Sequence, residues 1–213
     1  LTSPPELKNP HILCVYGEGE AFVCWEDYRN DPKFPDIYLT KIDDKGKVLW
    51  QYGGVPVCTI EGDQSRPVMA SDGNGGVYVA WVDRRSNVKD EVYVHHLDPN
   101  GKILFEKNGK LICSANRSKT QLQIERDKKG GVWLAWTDAR TFDKTGFDLY
   151  VQKLDEDGNA IYANGGKDVA LNPKDQTTPR LVAADEGGVF LFWNDNRYGK
   201  ISIFMQRIPA TGE

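Results

Sequence analysis

The chain has 213 residues, with 27 Lys and Arg against 31 Asp and Glu and a formal net charge of -4. That length fits one or two packed domains, and the lack of a basic excess argues against nucleic acid as a partner, because phosphate binders carry a clear cationic footprint. The 21 Gly, 9 Tyr, 8 Phe and 6 Trp favour strands joined by tight turns, so the class is read as all-β.

Taken in order, Leu1 to Pro10 is Pro-rich and lines up with Val57 to Pro67, a segment that joins one repeat to the next. His11 to Tyr16 reads as a first strand, Gly17 to Glu20 as a turn, and Ala21 to Trp25 as a second strand. After a loop over Asn30 to Pro35, a third strand begins at Asp36. It has Ile37, Leu39 and Lys41 on one face and Tyr38, Thr40 and Ile42 on the other. It closes on Asp43-Asp44-Lys45-Gly46, and a fourth strand is expected over Val48 to Trp50.

The same order returns along the chain. Gly46, Gly101, Gly158 and Gly212 each stand 8 residues after an aromatic: Tyr38, Tyr93, Tyr150 and Phe204. Such spacing suits a hairpin whose last loop residue needs a positive φ. First-to-second strand turns recur as Asp72 to Gly76, Asp127 to Gly131 and Asp185 to Gly188, while Gln64, Gln121 and Gln176 each precede a first strand.

The strongest repeat is W-x-D-x-R: Trp25, Asp27 and Arg29; Trp81, Asp83 and Arg85; Trp136, Asp138 and Arg140; Trp193, Asp195 and Arg197. The tryptophans lie 56, 55 and 57 residues apart, which argues for an array of one supersecondary unit. A unit of four short antiparallel strands, rich in Gly and aromatics, has the composition of a β-propeller blade. The expected architecture is therefore an all-β propeller of four blade-like repeats over 1–56, 57–112, 113–169 and 170–213, the last incomplete. These stand alone or as part of a larger propeller, with an oligomer or further domains completing it.

The pattern D-G-x-G-G-V-x-V-A-W-x-D-x-R, best kept in Asp72 to Arg85, continues as D-x-Y-x-x-x-L-D-x-x-G and Q-x-x-P, seen in Tyr93 to Phe105 and Gln64 to Pro67. It resembles the propeller repeats of large secreted and surface proteins of bacteria, notably those exported by the type 9 system of Bacteroidetes. The resemblance covers essentially the whole chain and implies a secreted or surface β-propeller, without implying a ligand. Repeat one departs from it by lacking the Asp-Gly turn, and repeat four by lacking an acidic residue near Ser202. The chain is also loosely similar to sialidase-type propellers, though their S-x-D-x-G-x-T-W box is absent.

Each motif has a structural and a functional reading. Arg29, Arg85 and Arg140 are expected to reach Asp36, Glu91 and Asp148 across the hairpin and pin the loop. The alternative is a ring of Asp and Arg that binds a ligand, which repetition at every copy disfavours. The four tryptophans should fill the packing between sheets. A sugar platform would use aromatics that are not repeated, and Tyr28, Phe34, Phe142, Phe147 and Tyr198 in the loops around W-x-D-x-R form the candidate binding site.

No metal site or cofactor is expected, since His95 and His96 project to opposite sides of a strand and the acidic turns are too short to wrap a cation. Cys14 and Cys24 fall on neighbouring strands, where a disulfide and two buried thiols both remain open. No leader is read at Leu1, and the longest apolar run, Val77 to Val82, is too short for a membrane span. Among the carboxylates only Glu26 stands out from the repeat, and no nucleophile elbow or phosphate loop is present. The expectation is a non-enzymatic module that binds a protein or glycan. A carbohydrate-active propeller enzyme of glycoside hydrolase or lyase type and a structural spacer are the alternatives.

Overall fold

The computed structural model describes residues 19–212 and the backbone of 7–11. Its strands are β1 (Leu7–His11), β2 (Ala21–Asp27), β3 (Asp36–Ile42), β4 (Val55–Cys58), β5 (Gln64–Ser71), β6 (Val77–Asp83), β7 (Glu91–Leu97), β8 (Lys110–Cys113), β9 (Lys119–Arg126), β10 (Val132–Asp138), β11 (Asp148–Leu154), β12 (Lys167–Ala170), β13 (Gln176–Ala183), β14 (Val189–Asp195) and β15 (Ser202–Ile208). They form three four-stranded meanders, β1-β2-β3-β4, β5-β6-β7-β8 and β9-β10-β11-β12, and one three-stranded sheet, β13-β14-β15. Among the described residues there is no helix. The chain divides into two compact units, one of Leu1–Val88 with Tyr93–Leu111, the other of Lys89–Val92 with Ile112–Glu213.

Alternation along the second and third strands decides what is buried. In unit 1, Phe22, Cys24, Ile37 and Leu39 of the first sheet close against Met69, Val77, Val79 and Trp81 of the second. In unit 2, Trp133, Ala135, Leu149 and Val151 of the third sheet close against Val189, Leu191 and Trp193 of the fourth. Trp81 and Trp193 thus fill the space between sheets, as their place in the alternation requires. A strand buried on both faces needs little polarity, and β6 and β10 are buried along their whole length.

The hairpin glycines hold their expected geometry, with φ near +80° at Gly46, Gly101, Gly158 and Gly212. They also let an earlier aromatic approach. Trp50 Nε1 donates to Pro99 O at 3.0 Å, and its ring lies where a Cβ on Gly101 would come within 2.9 Å. Tyr162 donates its hydroxyl to Gly212 O at 2.7 Å in the same way.

Several expectations need correction. The fourth strand is not Val48 to Trp50, where Val48 makes only an isolated bridge to Ile42; it is the later β4. Four residues are too few to show a period, so β4, β8 and β12 left no pattern to read. The position of Gln64 and Gln176 is taken in the third sheet by Lys119 rather than Gln121, since Lys119 pairs with Asp138 as Gln64 pairs with Asp83. Its buried ammonium reaches the carbonyls of Ala115, Asn116 and Arg117, the kind of preceding-turn acceptor that the amides of Gln64 and Gln176 use. In the fourth sheet Ala184, not Asp185, closes the first turn onto Gly188. The strand expected over 11–16 falls, except for His11, outside the described residues. So does Cys14; Cys24, its expected partner in a bridge, is a buried free thiol, as are Cys58 and Cys113.

Candidate functional site

W-x-D-x-R closes on itself. The indole N–H of each Trp donates to Oδ2 of the Asp two residues on, at 2.7, 2.8, 2.8 and 3.0 Å in chain order. The other oxygen accepts the Arg backbone N–H at 2.8–2.9 Å. Each Arg side chain pairs with the same Asp and lies over the third-strand aromatic, 4.0 Å from Tyr38, 3.7 Å from Tyr93, 3.6 Å from Tyr150 and 4.5 Å from Phe204. Burial pushes the Asp195 carboxyl up, but hydrogen bonds from Arg197 and Trp193 outweigh it and hold its pKa at about 2.

This corrects the expectation that Arg29, Arg85 and Arg140 pair with Asp36, Glu91 and Asp148. Those carboxylates are served locally, Asp36 by Asn30 at 2.7 Å, Glu91 by Lys89 at 3.4 Å and Asp148 by Thr145 at 2.6 Å and by Thr141. The guanidinium stays with its own Asp because only there does it keep a carboxylate and an aromatic face together. Three of the arginines also donate to a carbonyl just before the fourth strand, Arg29 to Gly53 at 2.9 Å, Arg85 to Asn108 at 2.8 Å and Arg140 to Gly165 at 2.9 Å. Next to these carbonyls Gly54, Gly109 and Gly166 admit Trp25, Trp81 and Trp136 so closely that an added Cβ would stand 2.3, 2.4 and 2.7 Å from a ring carbon. No sequence signal pointed to this pairing, because the Trp and the Gly are about 30 residues apart.

The five expected platform aromatics divide between the two units. In unit 1, Phe34 is exposed and Tyr28 half-buried. In unit 2, Phe142 and Phe147 meet edge to face at 4.9 Å, while Tyr198 is exposed and lies 6.4 Å from Phe204 of its own sheet. Among the described residues no group of three or more His, Cys, Asp or Glu side chains is placed to hold a metal ion. His95 is fully buried against Trp81 and Phe105, neither ring nitrogen has a partner, and burial lowers its pKa to about 4.

A different cluster emerges at the start of the first strands. Each of β5, β9 and β13 has a register shift there, and the bulged residues Arg66, Gln121 and Thr178 hold φ of 56°, 53° and 58°. Non-Gly residues rarely adopt this conformation, so the bulge must be held from outside. In unit 2 the Gln121 side-chain oxygen accepts Thr178 N at 2.7 Å and the Thr137 hydroxyl at 2.8 Å. In unit 1 the corresponding oxygen is Glu26 Oε1, which accepts Arg66 N at 2.7 Å. Tyr28 stands beside it, its phenol pushed up first by burial and then by the charges of Glu26 and Asp63. Asp63 turns one oxygen toward Arg84 Nη1 at 3.4 Å, and its buried Oδ1 has no hydrogen-bond partner. The charges of two carboxylates, Glu26 and Asp63, thus act on one tyrosine in unit 1. Glu26 was visible as the residue that breaks the repeat; Asp63, one turn before β5, was not.

No protein-family model matches the chain, and no curated protein matches it. Solved structures do. An α-L-arabinanase of Penicillium chrysogenum aligns with 95% of this chain and 62% of its own length at 12% identity and a TM-score of 0.62. An endo-arabinase of Bacteroides thetaiotaomicron aligns with 98% of this chain and 77% of its own at 18% identity and 0.53. A GH43_1 enzyme of Xanthomonas citri aligns with 94% and 70% at 13% identity and 0.54. The fold is a β-propeller. The chain spans less than two thirds of the Penicillium enzyme, and at these identities the propeller alone is shared. These neighbours overturn the expectation of a non-enzymatic binding module and the leaning away from catalysis, because solved propellers that this one resembles are named an α-L-arabinanase, an endo-arabinase and a GH43_1 enzyme. Missing local motifs do not exclude such chemistry. Glycoside hydrolysis needs two carboxylates at a working separation, and these can come from different strands with no local signature.

Proposed function

We propose that this propeller belongs to a carbohydrate-active enzyme of glycoside hydrolase type, with its reacting groups at the W-x-D-x-R end of unit 1. The observations that carry the reading are the hydrogen bond from Arg66 N that orients Glu26 at a strained bulge and the buried Oδ1 of Asp63 without a hydrogen-bond partner, both carboxylates acting by charge on Tyr28. One carboxyl gives a proton to the departing glycosidic oxygen; the other takes a proton from the attacking water or attacks the anomeric carbon itself. Arg66 N fixes the orientation of Glu26, and the unpartnered Oδ1 of Asp63 supplies an acceptor. Tyr28 offers a ring face and a phenol to the sugar. Arabinose-containing polysaccharides are the first substrates to try, since the neighbours are named for them, and export from the cell follows as a proposal from the polymeric nature of such substrates.

The test is reducing-sugar release from arabinan and a panel of plant and bacterial polysaccharides. Wild-type chain should release sugar, Glu26→Gln should lose at least about 100-fold in rate, and Asp63→Asn should lose a comparable factor. Unchanged turnover in Glu26→Gln, or no turnover on any member of the panel by a folded chain, refutes the proposal.

A further inference from the structure

Asparagine followed by glycine is chemically labile, because glycine carries no side chain to shield the backbone amide that attacks. The chain has four such pairs, Asn74-Gly75, Asn100-Gly101, Asn108-Gly109 and Asn164-Gly165, all in connections between strands. In three of them the glycine amide is engaged. Gly101 N donates to Asp98 O at 3.0 Å, Gly109 N to Glu106 O at 3.0 Å and Gly165 N to Ile112 O at 3.3 Å. Gly75 N has no hydrogen-bond partner among the described residues. The turn from β5 to β6 leaves it so, since Asp72 Oδ1 accepts the amides on either side, Asn74 N at 2.7 Å and Gly76 N at 2.9 Å. Asn74 is exposed, and its own side-chain amide has no partner among the described residues.

We infer that Asn74 is a site of spontaneous modification, deamidation through a succinimide formed with Gly75, and that the fold selects it over the other three. Gly75 N forms a bond to Asn74 Cγ while the bond from Cγ to the side-chain nitrogen breaks. The Gly75 amide proton passes through solvent to that nitrogen, which leaves as ammonia. Water then opens the ring. Attack at Cγ yields aspartate, whereas attack at the main-chain carbonyl yields isoaspartate, in which the backbone runs through Cγ and is longer by a carbon. The longer backbone moves Gly76 N away from Asp72 Oδ1 and displaces Gly75 O, which accepts Lys41 Nζ of the first sheet at 3.4 Å. Either product adds a carboxylate to a turn that already contains Asp72.

The test is peptide mapping by mass spectrometry of the full chain held in mildly alkaline buffer, both folded and in guanidinium chloride. In the folded chain Asn74 should convert about tenfold faster than Asn100, Asn108 or Asn164, because each of those must first free its glycine amide from a hydrogen bond. In denaturant the four rates should converge, since all four share the glycine. The isoaspartate fraction should exchange its Gly76 amide faster than unmodified chain. Equal rates in the folded chain, earlier conversion at any of the other three, or a lead of Asn74 that persists in denaturant would each overturn the inference, the last assigning the lability to local sequence. Unchanged Gly76 exchange in the modified chain would overturn the loosening of the turn.

Discussion

Units 1 and 2 are built from the same parts, yet in two roles unit 1 uses an ionisable side chain where unit 2 uses a glutamine. The first is the oxygen that holds the bulge, Glu26 in one unit and Gln121 in the other. The second is the buried third-strand position two residues past the tyrosine. There Gln152 bonds Tyr162 O at 3.0 Å and accepts Tyr162 N at 3.0 Å, whereas His95 has no partner at all. A neutral amide does either job without a charge to desolvate. In unit 2 neutral amides therefore fill both roles.

The largest expected effect tests where the units agree. Gly109→Val in unit 1 and Gly166→Val in unit 2 should each cost about 3 kcal/mol, since both force a branched side chain onto a tryptophan at a backbone angle that disfavours it. Urea unfolding measures both, and a large difference between them would break the equivalence of the parts.

The next effect separates the units. The His95 imidazole is held at about 4 against 6.5 for the free group, so below pH 6.5 the unfolded chain takes up a proton that the folded chain refuses. The stability that neutral His95 secures is complete above pH 6.5 and is lost as the pH falls toward 4, a change of about 3 kcal/mol. Wild-type chain should lose stability steadily over that window, and His95→Gln should flatten the profile by restoring the latch seen at Gln152. A profile that His95→Gln leaves unchanged would remove His95 from the comparison.

Smaller effects sharpen the first difference. Glu26→Ala and Gln121→Ala should each cost about 1–3 kcal/mol by leaving a bulge N–H unbonded. Glu26→Gln should change stability by less than about 0.5 kcal/mol, because its amide oxygen still reaches Arg66 as Gln121 reaches Thr178. If Glu26→Gln instead destabilises as much as Glu26→Ala, the charge itself serves the fold and the catalytic reading weakens.

The sequence shows the fold and the site to very different depths. The four Trp positions, the hairpin glycines and the third strands were legible because each is a local pattern repeated at a fixed interval. The fourth strands were not, since four residues such as Val55–Cys58 carry no measurable period. Arginine partners were misassigned to Asp36, Glu91 and Asp148 because sequence spacing gives reach but not the direction of a guanidinium stacked on a ring. Gln121 stands two places past the Gln64 position, which Lys119 holds in the third sheet, and falls on the bulge instead. In the candidate site Glu26 could be found as an exception to the repeat. Asp63 lies in an ordinary turn, and only its charge acting on Tyr28 and its unpartnered Oδ1 single it out.

The aromatics after the third-strand hairpins carry a kinetic consequence. Trp50 of the first sheet holds the hairpin that contains Pro99 and Gly101 in the second, and Tyr162 of the third holds the hairpin that contains Gly212 in the fourth. Within each unit the outer turn of the later sheet therefore cannot open without uncovering a ring anchored in the earlier one. Amide exchange at these hairpins should follow the cooperative opening of the sheet pair rather than local fraying, which makes the pair, and not the single meander, the smallest element that unfolds on its own.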